Sequence, residues 1–117
     1  MAASPTFDPE NFERQAVEVA GILRALANER RLMILCTLVE CGESNVGTLA
    51  TAVGLSQSAL SQHLAKMREE GLVTFRRESQ TIWYRIADPR IEQLLATLHS
   101  LFCRPASAKS RLNNRRS

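Results

Sequence analysis

NVGTLATAVGLSQSALSQHLAKMREEG, residues 45–71, holds two helices and the turn between them. Asn45 is a good N-cap, and Val46, Leu49, Ala50 and Val53 follow at helical spacing, which predicts a short helix stopped by Gly54. Ser56 opens the next helix, predicted over Gln57 to Glu70, with Leu60, Leu64 and Met67 on one stripe. Gln57, Ser58, Ser61 and Gln62 lie largely off that stripe, so the helix has an apolar back and a polar, uncharged front. A short helix, a tight glycine-containing turn and a helix with a polar front form a helix-turn-helix.

Downstream, Gly71 closes the second helix of the pair, and Leu72 to Arg77 and Gln80 to Ala87 read as two strands with Glu78 and Ser79 at the tip. A hairpin in that place is a wing. Asp88-Pro89 is a helix start, a capping acid followed by a proline in the first turn, and Ile91, Leu94, Leu95, Leu98, Leu101 and Phe102 continue to Cys103. Upstream, Ala16, Val19, Ala20, Leu23 and Leu26 predict a first helix from about Glu10. Asn28 caps a second from Glu29 to Glu40, ended by Gly42. The predicted fold is mostly α, a winged helix-turn-helix of five helices with a small β-hairpin wing. Residues 1–9 read as a flexible arm, 10–103 as one DNA-binding and dimerisation domain, and 104–117 as a basic, disordered tail. The last helix carries more apolar surface than a lone surface helix needs, and together with the first helix it is the expected interface of a homodimer.

At 117 residues and 44% apolar, the chain has side chains for one modest core. The formal charge of +3 is unevenly placed. The tail holds Arg104, Lys109, Arg111, Arg115 and Arg116 with no acid, which either draws it to phosphate non-specifically or leaves it merely solvated. No apolar run approaches the roughly 20 residues of a membrane span, and the first residues lack the layout of a signal peptide, so a cytoplasmic protein is expected. No Gly-rich phosphate loop and no paired Cys/His or Ser/His arrangement points to an enzyme.

Near the start of the fourth helix, Gln57, Ser58, Ser61 and Gln62 can reach base edges. Gln can pair both polar atoms of adenine's major-groove edge and Ser can serve either base type. His63, Lys66 and Arg68 are candidates for groove-edge or phosphate contacts, with ordinary solvated helix residues as the alternative. Arg76 and Arg77 end the first wing strand, where guanidinium groups would meet phosphate or enter a minor groove, or would simply resist edge pairing.

The runs Leu26-Ala27-Asn28-Glu29-Arg30-Arg31-Leu32, Leu55 to Leu64 (LSQSALSQHL) and Gly71-Leu72-Val73 resemble the ArsR/SmtB family of dimeric winged-helix repressors over roughly residues 12–103. The resemblance implies repression of a palindromic operator in double-stranded DNA until an inducer binds. The stretch Val46 to Val53 lacks the cysteines of that family's metal box, and Asp88, Glu92 and His99 do not match the spacing of its last-helix zinc site, so no metal is expected.

Cys36 and Cys103 instead resemble the dithiol of the family's reactive-sulfur and redox-sensing branch, as does the run Gln80-Thr81-Ile82-Trp83-Tyr84. That resemblance implies reactive sulfur species as inducer and Cys36 and Cys103 as the thiol sensor. Alone, Cys36 also fits a small buried hydrophobe. Cys41 reads as an accessory thiol, or as the third thiolate of an arsenite or antimonite site. A winged helix used as a protein-interaction module is the remaining alternative.

Overall fold

The structure, a computed structural model, describes residues 8–102. Cys103, the basic tail and all of the expected arm except Asp8 and Pro9 lie outside the described residues. The chain divides into two compact units, with the boundary between Leu32 and Met33.

In the first unit, helix α1 (Pro9–Leu26) starts one residue earlier than the spacing suggested. Asp8 stays extended as the cap, its carboxylate accepts from Glu10 N at 3.2 Å, and Pro9 fits the first turn. Leu26 is buried, while Phe12, Val17, Val19 and Leu23 are exposed. Helix α2 (Glu29–Cys41) opens with Asn28 Oδ1 accepting from Arg31 N at 3.0 Å. The buried Arg31 guanidinium donates to Ala25 O at 2.8 Å, placing a cation on the carbonyl end of α1 where the helix dipole favours it.

The second unit holds the core. Ile34, Leu35 and Leu38 of α2, Leu49, Ala50 and Val53 of α3 (Val46–Val53), and Leu60, Leu64 and Met67 of α4 (Gln57–Glu69) are all buried. Strands β2 (Val73–Glu78) and β3 (Thr81–Ile86) form the hairpin, and α5 (Pro89–Phe102) adds the buried Ile91 and Leu95. Asp88 Oδ1 accepts from Arg90 N at 2.9 Å to start α5, as the acid-proline pair predicts. Two features correct the sequence reading. A two-residue strand, β1 (Ser44–Asn45), pairs antiparallel with β3, so the sheet has three strands in the order β1-β3-β2. The hairpin tip is Ser79 and Gln80, because Glu78 pairs with Thr81 and Ser79 takes the left-handed conformation at φ 57°.

The α3–α4 turn depends on Gly54, at φ 71°. There the chain reverses so that Leu55 N reaches Ala50 O at 3.0 Å, capping α3 before Ser56 begins α4. Gly54→Ala is expected to cost roughly 1–2 kcal/mol, the penalty of left-handed backbone for an L residue. Gly47→Ala, in α3 with no neighbour nearer than 3.6 Å to an added Cβ, is expected to be neutral or to stabilise by up to about 1 kcal/mol. Urea unfolding of the two variants checks the contrast; equal losses would place the constraint elsewhere than the backbone at Gly54.

Candidate nucleic-acid interface

Helix α4 is positioned by its ends and its back. Ser56 is extended, and its hydroxyl accepts from Ala59 N at 3.1 Å. Leu60, Leu64 and Met67 have no solvent exposure. Gln57, Ser58, Ser61 and Gln62 are all exposed, two pairs spaced by one helical turn, so the structure brings the four predicted reading residues onto one open face. None of the four is charged. An added Cβ on Gly47 would lie 3.6 Å from Gln57 Nε2, so the Gln57 amide sits beside the start of α3.

The other candidates on α4 separate. His63 is half-buried, one turn from both Leu60 and Met67, and therefore on the flank of the buried stripe, away from the four. Lys66 is exposed at the edge of the open face. Arg68 lies 4.9 Å above the Phe75 ring, which is 5.5 Å from Tyr84, so its guanidinium stacks on the wing.

The two wing arginines also part. Arg76 Nε donates to Glu43 Oε2 and Nη2 to Glu43 Oε1, both at 2.9 Å, while Nη1 donates to Glu78 Oε1 at 3.0 Å. Its guanidinium carbon is 5.8 Å from the Trp83 ring centroid. The hydrogen bonds from Arg76 hold the Glu43 carboxyl below its ordinary value, and those carboxylates push Arg76 higher still. Arg77 is exposed, opposite Ile82 on the other face of the hairpin, and its side chain makes no hydrogen bond or ion pair among the described residues. Sequence reading missed Glu43 and the exposed Arg85, whose charge also acts on Glu43. No short-range pattern marks Glu43, because its partner is 33 residues away.

Of the thiols, Cys36 is half-buried in α2 and Cys41 is exposed at the end of that helix. His99 Nε2 lies 3.7 Å from Glu40 Oε2, linking the last turn of α5 to the last turn of α2. Cys36 stands one turn before Glu40, and position 103 follows His99 by four residues in sequence. Among the described residues no three His, Cys, Asp or Glu side chains cluster as metal ligands would, and no helix is long and apolar enough to cross a membrane.

A family model of bacterial regulatory proteins, arsR family, matches residues 28–74. The transcriptional activator HlyU of Vibrio cholerae is 44% identical over 80% of this chain and 86% of its own length. The biofilm growth-associated repressor of Xylella fastidiosa is 42% identical over 85% of this chain and 86% of its own. The crystal structure of HlyU from Vibrio vulnificus superposes with a TM-score of 0.78 at 44% identity, over 83% of this chain and all of that one. Geometry and likeness together define a winged helix-turn-helix transcriptional regulator that binds DNA. The chain belongs to the ArsR family of bacterial regulatory proteins.

The Glu43 carboxyl has a depressed value in the folded wing, so its ion pair is complete above the ordinary carboxylate value of 4.5 and is lost as pH falls through the lowered one. Fluorescence of Trp83, the one tryptophan of the chain, is expected to hold steady from neutral pH down to 4.5 and to change only below it. Glu43→Gln is expected to show the low-pH signal already at neutral pH; a native-like signal in that variant would detach Trp83 from the pair.

Proposed function

We propose that the protein is a repressor that binds a palindromic operator as a homodimer and releases it when the Cys36/Cys103 dithiol is modified by reactive sulfur species, persulfide or polysulfide, or by an oxidant. The observation that carries the DNA-reading half is the open, uncharged face of Gln57, Ser58, Ser61 and Gln62 on a helix fixed by a fully buried back. Neutral amides and hydroxyls match the mixed donors and acceptors of base edges in the major groove. The exposed Lys66 and Arg77 would meet phosphate, which gives register and affinity without sequence preference. Dimerisation through α1 and α5 is supported by what each exposes by itself: Phe12, Val19 and Leu23 on the one, Leu101 and Phe102 on the other.

The sensing half rests on the resemblance of Cys36 and Cys103 to the dithiol of the family's redox-sensing branch, and on the Glu40–His99 pair, in which the last turns of α2 and α5 approach to 3.7 Å one turn from Cys36. A plain disulfide needs Cα atoms about 4.4–6.8 Å apart, and an inserted sulfur widens that reach. With hydrogen trisulfide as the donor, thiolate exchange leaves one sulfur between Cys36 and Cys103 and releases the other two as two molecules of hydrogen sulfide, so no separate oxidant is needed. A bridge between α2 and α5 would then shift the reading helices away from the spacing that two half-sites require.

Two measurements test this reading. Gln57→Ala and Gln62→Ala are each expected to weaken operator binding by about 1–3 kcal/mol and to relax base preference; intact affinity and preference would remove the assignment of the reading face. Reduced native protein treated with glutathione persulfide is expected to lose at least about tenfold in operator affinity, or 1.4 kcal/mol, while Cys36→Ser and Cys103→Ser keep theirs. Unchanged affinity in the treated native protein would refute the sulfur switch and leave the repressor standing. Stoichiometric arsenite binding lost in each single variant of Cys36, Cys41 and Cys103 would assign the thiols to arsenite or antimonite instead. Absence of salt-steep binding to any palindromic promoter fragment would favour a protein-interaction module.

A further inference from the structure

One constellation lies outside the proposed DNA contacts. Each guanidinium nitrogen of Arg76 already donates to a carboxylate, two in a parallel fork to Glu43 and one to Glu78, with Trp83 beneath. Fork pairs fix geometry as well as charge. A phosphate oxygen arriving at Arg76 would meet two carboxylates already within 3.0 Å of the same cation. Arg77, facing the other way from the hairpin, meets no such competition.

Where Glu43 sits gives the pair its consequence. It is the residue before Ser44, which pairs with Tyr84, and two before Asn45, whose side chain caps α3 by accepting from Thr48 N at 2.8 Å. Arg76 is on β2, at the far side of β3 from β1. The pair therefore spans the sheet and ties the lead-in of α3 to the strand that leads to the wing tip. An exposed ion pair adds little to global stability, so its effect belongs to the placement of the wing.

We infer that Arg76 is a positioning residue that sets the wing against the α3–α4 pair through Glu43, and that phosphate contact at the wing falls to Arg77. The inference rests on the wing being part of the operator-facing surface.

The test compares Glu43→Gln, Arg76→Gln, their double variant and Arg77→Ala with the native protein, by operator affinity across a salt series and by Trp83 fluorescence with and without operator. Glu43→Gln and Arg76→Gln are each expected to weaken binding several-fold, with the double variant no weaker than the worse single one, as for two residues acting as a unit. Neither is expected to change the slope of log affinity against log salt. Both are expected to shift Trp83 emission without DNA, and operator binding is not expected to give the native protein that shifted emission. Arg77→Ala is expected to reduce the slope by about 0.9 for each wing. The positioning role is overturned if Glu43→Gln raises affinity by releasing the arginine, if Arg76→Gln reduces the slope by about 0.9 for each wing, or if operator binding moves native Trp83 emission to that of Glu43→Gln. An unchanged slope in Arg77→Ala overturns the placement of the wing on DNA, an outcome separable from the sign of the Glu43→Gln effect.

Discussion

Leu60, Leu64 and Met67 are wholly withdrawn from water, and a helix seated by three residues on one stripe has no freedom to turn about its axis. Each residue step rotates the helix by about 100°, so a slip of one position would bring polar side chains inward and these three outward. Truncating such a side chain typically costs about 2–5 kcal/mol, comparable to a large part of the stability of a small domain. The orientation of Gln57, Ser58, Ser61 and Gln62 is thus enforced from behind, by side chains that never meet a ligand. Ser56 and Gly54 set where the helix begins, and the buried stripe sets which way it faces.

The wing is held by different chemistry. Its inner face carries Phe75 and Tyr84, with Arg68 of α4 stacked on Phe75. Its outer face carries Arg76 and Trp83, joined to Glu43 ahead of β1. Between them β3 serves as the central strand, bonded on one side to β1 and on the other to β2. The hairpin is therefore braced from both faces and from one edge, although two isolated strands in water are marginal at best.

Chemistry that acts over two or three residues was legible in the sequence. Asn28, Asn45, Ser56 and Asp88 are the kinds of side chain that start helices, and each accepts a hydrogen bond from a backbone N–H two or three positions on; Asp8 does the same for α1 from within the stretch that the sequence read as an arm. The apolar period then supplied the buried stripes. Chemistry that acts across the fold was not legible. Two residues of β1 carry no period, and their strand character comes from pairing with Tyr84 and Trp83 about 40 positions later. The partnership of Arg76 with Glu43 likewise exists only once β3 has set the register. Similar-looking cations on one short stretch thus took different places: Arg68 on a ring, Arg76 between carboxylates, Arg77 open to solvent. The four reading candidates could be seen in sequence because exposure and burial alternate within a single helix.

The neutrality of the front of α4 separates two properties that one cationic surface would have merged. On the proposed reading, charge resides at Lys66 and Arg77, and discrimination resides in side chains that carry none. Counterion release governs the first and leaves the second nearly untouched. A rise in ionic strength then shortens the time spent on every site by about the same factor, and the ranking of good sites over poor ones persists.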